Sequence, residues 1–124
     1  MYVENEILKS LSEADRQRLS GQLKRKFFPA GATVGKKDDP IQEIFFPESG
    51  LLSLVTELSD QSRVGTGLIG KAGAVGASAA LGINRHSGTV LALTPSTGYA
   101  APAQAVLEIA RSSEPLRKAL LESE

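Results

Sequence analysis

The stretch from Ile44 to Gly76 constrains the fold more than any other part of the chain. It begins IFFPESG, continues LLSLVTEL and closes with RVGTGLIGKAGAVG. In LLSLVTEL, Leu52, Leu54 and Leu58 fall on one face and Ser53 and Glu57 on the other, the period of a half-buried strand. PESG ahead of it and SDQS behind it supply turn chemistry. RVGTGLIG reads as a strand weakened by glycines, which mark bends or close backbone approach. The order is therefore strand, tight turn, strand, polar turn, strand and glycine-rich loop.

The flanks change period. Leu8, Leu11, Leu19 and Leu23 give a sparse helical stripe, with Ser12 as N-cap, Asp15 in the first turn and Gly21 as the stop. KRKFF then reads as a strand, Pro29 and Gly31 as a turn, and KKDDP as a charged turn. GTVLALTP and STGYAAP read as a further hairpin. PAQAVLEIAR opens a helix at Pro102, where the missing N–H costs little. Ser113 caps EPLRKALLESE, with Leu116, Leu120 and Leu121 on one side. Short, closely spaced strands between helical ends predict a mainly β fold, a β-roll or barrel with helical appendages.

Composition narrows the function. The 124 residues suit one domain, spanning 1–124, with the roll at about 23–101. Fourteen basic and fourteen acidic residues cancel, whereas a free-standing nucleic-acid binder carries a basic excess. No apolar run is long enough for a membrane span, and MYVENEILKS is acidic rather than a secretory signal. There is no cysteine, so no disulfide, redox thiol or thiolate-held iron–sulfur cluster is available. These features predict a cytoplasmic protein.

Phe46-Pro47-Glu48-Ser49-Gly50 and Gly67-Leu68-Ile69-Gly70, with Gly73, Val75 and Gly76, resemble the effector-binding domain of Crp/Fnr-type transcription regulators. The resemblance runs from about Leu8 to the last residue. It implies a double-stranded β-helix, the jelly-roll-like β-roll of cyclic-nucleotide-binding domains. It also implies a sensor that dimerises in the full-length regulator and reaches DNA through a C-terminal helix-turn-helix domain. The chain stops at Glu124, about where the pairing helix of such regulators would start. The expectation is a sensor part without its DNA reader, either cut from a longer regulator or naturally short. Family members often carry a glycine near Asp38 or Asp39, and this chain has none there.

The resemblance places the ligand pocket at 73–90, GAVGASAALGINRHSGTV. Glycine lets backbone approach a phosphate, and N–H groups at a helix start attract its charge. Cyclic-nucleotide binders add a glutamate for the ribose and an arginine for the phosphate. Here Ala77 follows Gly76 where the glutamate is expected, and His86 precedes Ser87-Gly88 where the arginine is expected. An arginine–phosphate pair is worth about 1.5–3 kcal/mol, or roughly 10- to 100-fold in affinity. Cyclic nucleotide is therefore not expected as a cofactor in the usual mode. Arg85 could replace His86 only with a register slip that turns it to the other face. The candidate pocket residues are Gly76, Ala77, Ser78, His86 and Ser87, and the candidate ligand is a small anionic effector.

Other chemistry finds no support. One histidine without cysteine offers too few ligands for a metal site, and Met1 is the only methionine that could serve as an axial haem ligand. GKAG lacks the P-loop spacing, and Ser49 has no histidine-bearing motif beside it. No nucleophile–base pair can be assembled, so the chain is not expected to be an enzyme. Lys24-Arg25-Lys26 reads as a solvated strand edge. Two readings remain. One is the effector-sensing domain of a Crp/Fnr-like regulator. The other is a ligand-free dimerisation or protein-interaction module, its vestigial pocket closed over Ala77, Ala79 and Ala80.

Overall fold

A computed structural model describes residues 3–123. Seven strands form two antiparallel sheets. β1 (Lys24–Phe28), β7 (Ser96–Pro102) and β3 (Glu43–Ser49) make one, in the order β1-β7-β3. β2 (Thr33–Gly35), β6 (Thr89–Ala92), β4 (Leu52–Glu57) and β5 (Arg63–Ile69) make the other, in the order β2-β6-β4-β5. Helices α1 (Glu6–Lys9), α2 (Glu13–Ser20), α3 (Ala103–Ser112) and α4 (Glu114–Glu122) flank the roll. The mainly β architecture is the one the strand and turn pattern predicts.

The apolar run IFF on β3 explains how the layers meet. A strand buried on both faces carries continuous rather than alternating apolar residues. Phe45 points into the roll, where it joins Leu52, Val75, Val90, Ala92 and Ala100 from both sheets. Its ring meets Phe28 edge to face at 5.1 Å. Ile44 and Phe46 point the other way, into a second cluster with Ala101, Leu8, Leu19, Val106, Leu116 and Leu120 from the helices. β7 pairs antiparallel with β3, and at Gly98 an added Cβ would run into the Phe46 carbonyl oxygen and stand 2.7 Å from the Phe45 ring. Only glycine fits there.

Caps follow the local code. Ser12 accepts from the Asp15 amide, Gly21 closes α2, and Ser113 accepts from the Leu116 amide. The first helical stretch divides into α1 and α2, with the side chain of Asn5 capping α1. Basic residues 24–26 lie on an edge strand, as their reading as a solvated edge requires, and Lys26 pairs with Glu43.

Three local expectations are corrected. β6 and β7 are consecutive but form no hairpin: β6 pairs with β2 and β4, and β7 with β1 and β3. Both are buried in different sheets, and the chain crosses between them at 93–95. The β4 alternation also fails. Leu52 and Leu54 face the roll as expected, but Ser53 and Val55 on the other face are buried as well, and Leu58 lies beyond the strand, exposed; the one irregularity, at Thr66, belongs to β5. Leu121 is 41% exposed rather than packed beside Leu116 and Leu120.

Candidate functional site

The glycine-rich loop leaves β5 and is pinned to β3. Phe45 and Val75 exchange two backbone hydrogen bonds, at 3.0 and 2.8 Å. Gly76 follows with φ of +92°, a backbone that L side chains rarely adopt. Its absent Cβ would stand 3.0 Å from Ile41 Cγ2 and 3.1 Å from the Glu43 carbonyl oxygen. Gly76 therefore serves both a left-handed turn and a close approach. A short 3-10 helix, Ala77–Leu81, starts there and ends at Gly82.

That helix faces inward. Ala77 is 2% exposed and Ser78 5%, and Ala77 and Ala79 join the cluster that holds Leu116 and Leu120 of α4. Residues 84–86 then run beside the charged turn. The Ile41 amide donates to Asn84 O at 2.8 Å, His86 N–H to Asp39 O at 2.9 Å, and Asp38 N–H to His86 O at 2.9 Å. The Arg85 guanidinium donates to Asp38 O at 2.8 Å. Asp38 takes the left-handed backbone, φ 72°, at the position where the resemblance leads one to look for glycine.

His86 is half-buried with its ring against Gly35. A Cβ on Gly35 would stand 3.0 Å from His86 Cε1 and 3.1 Å from Nδ1. The ring opens on a groove of about 390 Å³ lined by Gly35, Lys36, Asp39, Gln42 and Glu43. Burial pushes the imidazole below its ordinary value, while the Asp39 carboxylate pulls it back up. Burial thus disfavours the charged imidazolium here. Ser87 is exposed.

The five candidate residues thus do not share one surface. His86 and Ser87 reach solvent at the charged turn, and His86 lines the groove. Ala77 and Ser78 lie in the interior, and Gly76 is partly buried between them and β3. Residue types alone did not single out Gly35, Asp39 and Glu43, which surround His86 from other elements. The signal present was the charged turn KKDDP, but its pairing with 84–86 is a long-range event. Among the described residues no three or more His, Asp or Glu side chains gather to hold a metal ion, and no helix is long and apolar enough to cross a membrane.

Residues 25–113 match the family described as the cyclic nucleotide-binding domain. The chain belongs to that family. Among curated proteins no sequence matches it. Solved structures share its fold. The sensor domain of the transcriptional regulator DNR from Pseudomonas aeruginosa superposes with a TM-score of 0.78 at 18% identity, over 94% of this chain and 78% of that one. The Thermus thermophilus catabolite activator protein gives 0.72 at 18% identity, over 94% of this chain and 54% of its own. The regulatory domain of Toxoplasma gondii PKA, crystallised with cAMP, gives 0.78 at 13% identity, over 96% of this chain and 45% of its own. The chain thus spans most of an isolated bacterial sensor domain and about half of a catabolite activator protein. The roll and its flanking helices are the fold of Crp/Fnr-type sensor domains.

Proposed function

We propose that this chain is the effector-sensing domain of a Crp/Fnr-like transcription regulator in which the usual cyclic-nucleotide contacts are degenerate. In that setting it acts as a homodimer, and DNA contact falls to a separate helix-turn-helix domain. One observation supports the reading: His86, at the position where the resemblance leads one to expect an arginine, sits against Gly35 in a groove it shares with Lys36, Asp39 and Glu43. A half-buried imidazole does not replace the charged, bidentate contact of an arginine, and among the described residues Lys36 is the one cation beside two carboxylates in the groove lining. Ala77, where a ribose-binding carboxylate is expected, is buried and apolar. A sensor built this way responds to an effector held by other groups, by biasing two arrangements of the roll and its helices.

Calorimetric titration with cyclic AMP, cyclic GMP and inorganic phosphate tests the reading. Dissociation constants weaker than about 1 mM for both nucleotides are expected. Micromolar binding of either would overturn it. Phosphate heat that vanishes in Lys36→Ala would assign the effector to the anionic class. No heat from any of the three removes the anion.

A second reading, a ligand-free interaction module, draws on the burial of Ala77 and Ala79. Small side chains at Ala77 and Ala79 let the short helix settle against the cluster that holds α3 and α4. A small molecule that raises Tm in proportion to the logarithm of its concentration would rule this version out.

A further inference from the structure

Glu48 reads locally as turn chemistry, and Asn5 carries no motif at all. In the fold both have distant partners. The Glu48 carboxylate accepts from the backbone amides of Glu4 and Asn5. The Asn5 side chain is fully buried. Its Nδ2 donates to Pro47 O at 2.8 Å and to Gly73 O at 2.9 Å. Its Oδ1 accepts from the Ile7 and Leu8 amides at 3.0 and 3.3 Å. One residue on, the Glu6 amide donates to Lys71 O at 2.8 Å. Two carbonyls of the glycine-rich loop, at 71 and 73, are therefore held by two consecutive residues near the N-terminus.

The same segment touches α4. Ile7 and Leu8 pack in the cluster that contains Ala74 of the loop, Ala77 just after it, and Leu116 and Leu120 of α4. Glu6, Ile7 and Ser10 line one cleft with Ala72 of the loop and with Ala119, Glu122 and Ser123 at the end of α4. Glycines at 70, 73 and 76 give the loop little stiffness of its own. Its position is therefore set from outside.

The geometry points to an autoinhibitory strap: residues 4–8, clasped by Asn5 and Glu48, lock loop 70–76 to α4 and keep the 3-10 helix Ala77–Leu81 shut. This deepens the sensing reading and rests on it for its biological meaning. Buried donors and acceptors do not stretch gradually; they are paired or they are not, so the clasp has two discrete states. Release frees the loop as far as its Phe45–Val75 anchor, and the shared apolar cluster passes that release to α4.

Hydrogen–deuterium exchange on the whole chain tests the strap. The variants are Asn5→Ala, Glu48→Gln and a control, Leu52→Ala, which opens a cavity in the other core cluster. Asn5→Ala and Glu48→Gln are expected to speed exchange about tenfold at both 70–82 and 114–123, relative to β4 and β6. Leu52→Ala is expected to speed β4 and β6 instead. If Asn5→Ala fails to fold, Glu48→Gln supplies the measurement, since it keeps its volume and one acceptor oxygen. Faster exchange confined to 3–9, or spread evenly over both sheets, would overturn the proposal. The exchange pattern needs no ligand, so the strap can fail while the sensing reading stands. Titration can equally refute the sensing reading while the exchange pattern holds.

Discussion

Replacing Asn5 with alanine isolates the energetics of the clasp from its role in motion. The substitution removes four hydrogen bonds to a side chain with no exposed surface. Two of them cap α1, and losing a cap costs about 1 kcal/mol. The other two take a donor from the Pro47 and Gly73 carbonyls, and a buried group that loses its partner costs about 1–3 kcal/mol when water cannot reach it. Gly73 is only partly buried, so water recovers part of its bond. The sum is about 3 kcal/mol, a large share of the roughly 5–15 kcal/mol that holds a domain together. Urea unfolding followed by circular dichroism measures it, with an unchanged slope as the check that both states keep their compactness. Asn5→Asp separates the two halves. The aspartate keeps the cap acceptor but aims a carboxylate at two carbonyls, so it should destabilise at least as much as alanine. A loss below about 0.5 kcal/mol for alanine, the range of ordinary surface changes, would refute the argument. So would an aspartate variant as stable as the parent.

Four further outcomes follow from named contacts. Gly76→Ala puts a Cβ into a left-handed backbone and against Ile41 and Glu43, and should cost about 2 kcal/mol in urea unfolding. Asp38→Gly relieves the same backbone at φ 72° and should change stability by less than about 1 kcal/mol, in the stabilising direction, because glycine's greater freedom when unfolded offsets part of the gain. His86 is lowered by burial, so the unfolded chain takes up its proton first as pH falls. Its contribution is intact above the ordinary imidazole value and is lost as pH drops from there through the folded value. Parent and His86→Gln melts at pH 7.5 and pH 5.5 should therefore differ in slope, with the parent losing more. Gly35→Ala pushes on the His86 ring and should displace its NMR titration midpoint, whereas an unmoved midpoint would show that the ring is not seated against Gly35.

Local signals carried much of the architecture. Caps at Ser12 and Ser113, the stop at Gly21, the turns around Gly31 and 59–62, and the edge character of 24–26 each depend on residues within a few positions of one another. The resemblance also set an expectation, that Ala77 and His86 stand where cyclic-nucleotide binders carry a glutamate and an arginine. The candidate site was legible as a segment but not as a surface. Whether Ala77 and Ser78 face a ligand or the core depends on where α4 lands. Whether His86 is charged depends on Gly35 and Asp39, about fifty residues earlier in the chain.

By itself the chain determined its class: a period-two body with glycine bends, helical ends, and no cysteine for thiol chemistry. Only the tertiary structure decided which strands pair, and it separated β6 from β7 although they are neighbours in sequence. It also decided that Glu48 is more than a turn residue, because its partners are 43 and 44 positions away. Backbone preference and side-chain period act over a few residues and are written in composition and spacing. The pairing of buried donors with distant acceptors depends on which surfaces close over one another, and many sequences with this pattern could close differently.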